Sequence, residues 1–274
     1  MSGKLYLVAT PIGNLEDITL RALNVLKSVD LIAAEDTRNT LKLLNHFEIK
    51  KALISYHRHN EEEKQNGLIE KLKEGKNIAI VSDAGTPGIS DPGEVVVKKA
   101  IESKIEVIPI PGACAAINAL IASGLDTKEF SFFGFLPLNR KLRKEKLDEI
   151  KNETKTLIIY EAPHKLKDTL IDLKDIIEDR KIVIARELTK IHEEFIRDSI
   201  ENLIEKSSDL KGEMIILIEG CKKIEKENIL NNLSLEDHYK YYENLNFDKK
   251  EIIKKIAKDR NVTKNEIYMH FNNK

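Results

Sequence analysis

The sequence predicts an α/β protein of two lobes followed by a small helical segment. Three observations carry this. Short apolar runs alternate with amphipathic stretches as far as residue 218. Pro109, Pro111 and Gly112 break that rhythm near its middle. From about residue 222 the chain turns polar and rich in Lys and Asn. A chain of 274 residues suits two compact domains with an appendage, and it buries a core without covalent staples.

In order, Leu5–Ala9 reads as a strand, Thr19–Lys27 as a helix with Leu20, Leu23 and Leu26 on one face, and Leu31–Ala34 as a strand. Asp17 and Thr19 are alternative caps for the first helix. Thr37–Leu44 is a helix, Ala52–Ser55 a strand and Glu61–Lys73 a charged helix ending at Gly75. Ile78–Ser82 is a continuous apolar strand, as expected of one covered on both faces. Val95–Ser103 (helix) and Ile105–Pro109 (strand) complete a mostly parallel first lobe. The second lobe reads as helix Ala113–Ser123, strand Phe130–Phe135, helix Leu138–Lys151, strand Thr156–Tyr160, helix Leu166–Ile177 and strands Lys181–Arg186 and Met214–Ile218. The expected domains are residues 1–110, 111–221 and 222–274.

In the last segment Lys249–Asp259 has helical spacing. Thr263 to Glu266 forms a capping box ahead of Ile267, Tyr268 and Phe271. Lys240–Lys274 holds nine Lys/Arg against five Asp/Glu. That excess suits a nucleic-acid contact as well as an ordinary solvated helical subdomain.

Composition excludes several classes. Apolar residues are 41%, charged residues 33% and the formal net charge is −1, which fits a globular chain and not one basic throughout. Cys114 and Cys221 form no CxxC pair and are expected as buried free thiols. The apolar run at the N-terminus is too short for a signal peptide, and no stretch approaches the ~20 residues of a membrane span. The expected location is the cytoplasm.

Ser82–Gly93 (SDAGTPGISDPG) is the strongest functional signal. It holds three Gly, two Pro and two Asp between a buried strand and a helix. Open α/β sheets bind ligands beyond the carboxyl ends of their strands, where this loop lies. Thr10–Leu15 is a second loop of this kind and Ile110–Ala116 a weaker third. There is no GxGxxG, GxxxxGK[ST], HExxH or GxSxG. Polar residues after strands are further candidates for a cleft: Glu35–Thr40, Ser55–Glu61, Glu161 and His164, then Arg186, Glu187 and Lys190. His57 and His59, two apart on an extended segment, are expected to point opposite ways, against a metal pair.

As an ordered set, LYLVATPIGNLEDITLRAL, AEDTRNT, SYHRHNE, VSDAGTPGISDPG, PIPGACAAINALIASGL, FFGFLP, YEAPHKL, ARELTKIHEE and GEMIILIEG resemble the bacterial small-subunit ribosomal RNA methyltransferase I family. That family lies within the tetrapyrrole (corrin/porphyrin) methylases. The resemblance implies two α/β lobes with S-adenosylmethionine between them and a homodimer; because that methyl donor is already activated, no metal is expected. It also implies methyl transfer to the ribose 2′-oxygen of a cytidine in the decoding region of 16S rRNA, within the 30S subunit. It places cofactor contacts at Pro11 and Gly13, at Asp83, Ala84, Gly85, Ile89 and Ser90, at Ala113 and Ala115, and at Leu136, Glu161, Ala162, Pro163 and Met214. The superfamily usually has GDP where this chain has Ser82–Asp83–Ala84–Gly85, which counts against a tetrapyrrole substrate. Alternatives are a small-molecule, tetrapyrrole-like methyltransferase and a non-enzymatic RNA-binding protein of the same fold.

A ribose hydroxyl is barely ionised at neutral pH, so a base or an alkoxide-stabilising cation would help. Arg38, His57, Glu61, Glu161 and Lys190 are the candidates. Arg38, His57 and Asn60 are expected on the RNA side. The sequence leaves the base open.

Overall fold

The computed structural model describes residues 2–222, 230, 233–260 and 262–272. The chain divides into two compact units, Met1–Cys221 and Lys222–Lys274.

The first unit contains two five-stranded sheets. Strands β1 (Leu5–Val8), β2 (Leu31–Ala34), β3 (Leu53–Ser55), β4 (Ile78–Val81) and β5 (Val107–Ile110) form a sheet in the order β3-β2-β4-β1-β5. Every pairing in it is parallel. Helices α1 (Leu20–Ser28), α2 (Thr37–His46), α3 (Glu61–Lys73) and α4 (Glu94–Glu102) connect the strands. The two-residue period of β4 explains its uniform apolarity. Ile78 and Ile80 pack with Leu68, Leu72 and Val96 from α3 and α4. Ala79 and Val81 pack with Ala22, Leu26 and Leu44 from α1 and α2 on the other side. Thr19 is the cap of α1, its hydroxyl accepting from the Ala22 amide at 3.1 Å.

The second sheet joins β6 (Phe130–Phe135), β7 (Thr156–Glu161), β8 (Ile182–Arg186), β9 (Glu194–Asp198) and β10 (Met214–Ile218) in the order β6-β7-β10-β8-β9. Only β6 and β7 run parallel here; the other pairings are antiparallel. Helices α6 (Arg140–Asn152), α7 (Leu166–Ile177) and α8 (Ile200–Lys206) cover one face. Helix α5 (Ala115–Ser123) covers the other through Ala116, Ala119 and Leu120. Ile12, from the loop after β1, packs into that same cluster and ties the first lobe to the second.

Several details differ from the sequence expectation. β9 and α8 were not anticipated. β9 is an edge strand without a fully buried residue, so it lacks apolar alternation, and α8 spans only seven residues. Residues 57–60 form a turn rather than an extended segment, with the His57 carbonyl accepting from the Asn60 and Glu61 amides. The His57 and His59 rings therefore lie near each other, centroids 5.9 Å apart, instead of pointing opposite ways. Cys114 and Cys221 are free thiols but half-buried rather than buried.

In the second unit, α9 (Leu235–Glu243), α10 (Lys249–Asp259) and α11 (Lys264–Asn272) surround Ile252, Ile253, Ile256 and Ile267. α9 was also unanticipated; its polar sequence packs around His238, which is fully buried. His238 Nε2 is 3.2 Å from Asp259 Oδ2, and Arg260 Nε donates to His238 Nδ1 at 3.1 Å. The capping box forms: the Glu266 amide donates to Thr263 Oγ1 and the Thr263 amide to Glu266 Oε2. Asn261, Asn273 and Lys274 of the basic segment lie outside the described residues. Among the described residues no helix is long and apolar enough to cross a membrane.

Candidate active site

A cavity of about 420 Å³ opens in the first unit, where the loop after β4 meets β7, β10 and the start of α5. It lies at the carboxyl ends of the first sheet's strands, beside the switch between β4 and β1 in the strand order. Loop geometry shapes its wall. Thr10 and Gly85 exchange both backbone hydrogen bonds, at 2.9 and 3.0 Å, so the loops after β1 and β4 are clasped together. Gly85 holds φ at 79°, a left-handed conformation, and a Cβ there would sit 3.2 Å from Ile12 Cγ2. Gly13 serves close approach instead: a Cβ would fall 2.6 Å from Lys190 Cγ and 2.8 Å from Thr189 Oγ1. Ser90, Glu187 and Thr189 also adopt positive φ, at 64°, 50° and 66°. Backbone strain of this kind concentrates where a loop is held for a task.

Most of the residues named from sequence for cofactor contact line this cavity. Asp83, Ala84, Gly85, Ile89 and Ser90 come from the loop after β4 and Ala115 from α5. Glu161, Ala162, Pro163 and Met214 come from the second lobe. Four do not line it. Pro11 and Gly13 border a neighbouring hollow of about 260 Å³ with Asn39 and Ser82. Ala113 lies behind the wall, its carbonyl accepting from Thr86 Oγ1 at 3.0 Å. Leu136 is buried in the second lobe's core. Sequence reasoning missed the apolar wall formed by Ile12, Phe135, Tyr160, Ala185, Leu188 and Ile215. It also missed Glu213, and it placed Asp91 only within the Ser82–Gly93 loop and Glu35 only among the strand-end candidates.

The catalytic candidates separate. Glu161 alone among them lines the cavity and is buried; its carboxylate accepts from the Ala162 amide at 2.8 Å and from the Thr169 hydroxyl. Arg38, on the first turn of α2, is exposed and forks onto Asp36, whose carboxyl is lowered to about 2 by those hydrogen bonds. His57 and Asn60 hold each other in the turn after β3, His57 Nε2 lying 3.1 Å from Asn60 Nδ2. Lys190 pairs with Glu187 at 3.0 Å and Glu213 at 3.7 Å. Burial pulls Lys190 down, but those two carboxylates hold it above the ordinary lysine value.

The electrostatics of the cavity are one-sided. Glu35, Asp83, Asp91, Glu161 and Glu213 line it, and none of its lining residues is Lys, Arg or His. Burial raises Glu35, and burial followed by the charge of Glu35 raises Asp91 to about 7. A cation stands at the rim: the exposed Arg58 guanidinium donates to the Ser90 carbonyl. Among the described residues no group of three or more His, Cys, Asp or Glu is arranged to hold a metal ion.

Comparison with known proteins gives the family. The tetrapyrrole (corrin/porphyrin) methylases match the chain over residues 4–204. The ribosomal RNA small subunit methyltransferase I of Halalkalibacterium halodurans is 53% identical over 270 residues, covering 97% of this chain and 93% of that one. Its counterpart from Bacillus subtilis is 49% identical over 271 residues, with the same coverage. Among solved structures, uroporphyrin-III-C-methyltransferase from Thermus thermophilus superposes with TM-score 0.56 at 21% identity, covering 79% of this chain and 94% of that one. The Thermus thermophilus enzyme complexed with S-adenyl homocysteine gives TM-score 0.56 at 17% identity, covering 79% and 97%. Diphthine synthase gives TM-score 0.61 at 15% identity, covering 79% and 90%. At such identities the solved structures share the fold alone. The match of the family across both lobes, and near half identity along almost the whole chain, make this protein a member of the tetrapyrrole methylase family, in its ribosomal RNA small subunit methyltransferase I branch.

Proposed function

We propose that the chain is an S-adenosylmethionine-dependent methyltransferase acting on the ribose 2′-oxygen of a cytidine in the decoding region of 16S rRNA, within the 30S subunit, as a cytoplasmic homodimer. One observation carries the reading: a cavity with five carboxylates and no basic side chain on its wall. Such a wall favours a cationic ligand and repels an anionic one. S-adenosylmethionine carries a sulfonium and an ammonium against a single carboxylate and is net cationic, whereas an acidic tetrapyrrole brings a ring of carboxylates and finds no cation there.

The residues present fit this cosubstrate. Ile12, Ile89, Leu188 and Ile215 offer apolar walls for a purine ring, and Asp83 and Glu161 offer acceptors fixed by backbone amides. Ala84, Gly85, Ala115 and Ala162 keep the walls low enough for close approach. When bound, S-adenosylmethionine supplies a methyl group already activated on sulfur. The protein's work is then alignment and exclusion of water. Arg38, Arg58 and His59 stand on the exposed side, where phosphates of an unstacked RNA segment would run, and the acidic floor keeps those phosphates out.

A second copy fits the outer edge of β6, which among the described residues pairs only with β7. Phe130, Phe132 and Phe135 are exposed along it, followed by Leu138 and Leu142. Exposed apolar edges of this kind are normally covered. Phe135 also lines the cavity, so a partner on this edge would help close the site.

The test is methylation of 30S subunits with mapping of the modified nucleotide, alongside calorimetry with S-adenosylmethionine. A product methylated on a base refutes the 2′-oxygen assignment. Absence of cofactor binding favours a non-enzymatic RNA-binding protein.

A further inference from the structure

Two stretches of the second lobe leave the cavity wall side by side. β6 and β7 run parallel, with Phe135 paired to Tyr160, so the chain emerges from both strands at one end of the sheet. Phe135 lines the cavity, and so does Pro163 just beyond β7. The chain after Phe135 runs into α6, and the chain after Pro163 runs into α7. Both turn basic at once. Residues 138–146 read LNRKLRKEK and residues 163–167 read PHKLK, with Glu145 as their single acidic residue. Arg143 and Lys146 serve the fold. Arg143 joins α6 to α7 through Asp172 at 2.7 Å and Thr169 at 2.9 Å, and Lys146 pairs with Glu149 at 2.6 Å. Arg140, Lys141, Lys144 and Lys167 are exposed and, among the described residues, make no ion pair. Arg140 and Lys144 lie one turn apart on one side of α6, away from Leu142.

We propose that the starts of α6 and α7 form a shelf for the phosphates of the rRNA strand that carries the target nucleotide, with Arg140, Lys141, Lys144 and Lys167 as its contacts. This rests on the proposed rRNA methyltransferase reading. Charge and place identify the occupant. Methyl transfer brings one nucleoside to the cavity, and the five carboxylates on its wall repel the phosphates to either side of that nucleoside. Those phosphates need cations just outside the wall. Arg58 stands there on the first lobe. The shelf stands there on the second, a few residues beyond Phe135 and Pro163.

The cations of the shelf stand where they least suit the helix that carries them. The first turn of α6 holds no acidic residue. It holds Arg140, Lys141 and Arg143 instead, against the positive end of the helix dipole. Like charges gathered at such a site repel one another until an anion sits among them. Phosphate contacts of this kind hold the strand in register and read no base. The shelf therefore sets how firmly the substrate is held, and the cavity keeps the choice of nucleotide.

The experiment is binding of the full-length protein to 30S subunits across a salt titration, with methyl transfer from radiolabelled S-adenosylmethionine measured beside it. It uses wild type, the shelf variant Arg140→Gln/Lys141→Gln/Lys144→Gln, and Lys167→Gln. A control, Lys73→Gln/Lys98→Gln/Lys104→Gln, removes exposed lysines of α3, α4 and the turn after α4, none of which lines the cavity. Each phosphate contact to single-stranded RNA contributes about 0.7 to the slope of log affinity against log salt. The shelf variant should flatten that slope by about 2 and weaken binding at least tenfold at low salt, and Lys167→Gln should flatten it by about 0.7. KM for 30S subunits should rise while kcat and calorimetric affinity for S-adenosylmethionine stay within threefold. The shelf variant should melt no lower than wild type, because the charges removed oppose the dipole of α6. With p-benzoylphenylalanine in place of Lys141, irradiation should crosslink the protein to rRNA near the methylated nucleotide. An unchanged slope in the shelf variant overturns the proposal, as does equal flattening in the control. Crosslinks only to a second copy or to a ribosomal protein overturn it too. If the shelf variant fails to fold, Lys167→Gln and the crosslink decide: an unmoved slope or an absent rRNA crosslink overturns it. A wild-type product methylated on a base defeats the 2′-oxygen reading instead, whatever the slopes show.

Discussion

Gly85 and Gly88 form a matched pair for testing how the loop after β4 builds the cavity. Both hold left-handed backbones, with φ of 79° and 85°. Alanine at either position pays the same conformational penalty, about 1–2 kcal/mol. Their surroundings differ. A Cβ at Gly88 meets nothing within 4 Å, whereas one at Gly85 lies 3.2 Å from Ile12 Cγ2 and 3.6 Å from the Ala113 carbonyl. Ile12 is only 8% exposed and is packed among Ala116, Leu188 and Ile215, so it cannot swing aside. Overpacking there adds about 1–3 kcal/mol. Ile12 and Gly85 both line the cavity, so that displacement of a few tenths of an ångström reaches the ligand wall. Gly88→Ala should therefore lower stability by about 1–2 kcal/mol and leave affinity for S-adenosylmethionine within threefold. Gly85→Ala should cost about 2–5 kcal/mol and weaken the ligand at least tenfold, which is ~1.4 kcal/mol of binding. Urea denaturation and calorimetry on the two full-length variants measure both quantities. Equal stability and equal affinity for the pair would refute the claim that the Gly85–Ile12 contact shapes the site.

Other outcomes follow from the same reasoning. Thr169→Val leaves one oxygen of the buried Glu161 carboxylate without its donor, and urea denaturation should register a loss of about 1–3 kcal/mol. Deletion of Lys222–Lys274 should leave calorimetric affinity for S-adenosylmethionine unchanged. It should also weaken 30S binding and flatten its salt dependence, because exposed Lys240, Lys250, Lys254, Lys258 and Lys264 are removed. His238 is fully buried, and burial lowers its folded-state pKa below the ordinary 6.5. The unfolded segment then binds the proton more readily. The stability of the second unit should hold above pH 6.5 and decline as the pH falls below it, read as faster amide exchange in α9 and α10. Exchange that is independent of pH after correction for intrinsic rates would contradict this.

Much of the first unit was legible because burial on both faces writes a continuous apolar run. Ile78–Val81, Leu31–Ala34 and Met214–Ile218 are of this kind, and each proved a central strand. β9 was illegible for the converse reason: EFIRD lies at an edge, and its residues are half-buried or exposed with no two-residue alternation to mark a strand. α9 hid because its packing face is mostly aromatic and histidine, with His238, Tyr239 and Tyr242 facing inward beside a single aliphatic residue, Leu235. In the cavity, the glycine-rich loop was visible as a cluster of special residues. Its apolar partners were not, since Ala185 and Ile215 read as ordinary strand positions and become ligand-facing only through the register that sets β8 beside β10. The turn at residues 57–60 depends on Asn60 Oδ1 accepting from the His57 amide at 2.8 Å. A local side-chain bond of this sort overrides the extended habit of the flanking residues.

The place of β1 bears on how the chain is made. Leu5 pairs with Ile78 on one side and Val107 on the other. Of the five strands of this sheet, the one made first is thus the one that waits longest for its neighbours. Until β4 and β5 have emerged, both edges of LYLV are unpaired, and the Thr10–Gly85 clasp has no second half. Closure of the first lobe is consequently a late event in synthesis. A ribosome stalled before residue 110 should display a protease-sensitive β1, which becomes resistant once β5 is clear of the exit tunnel.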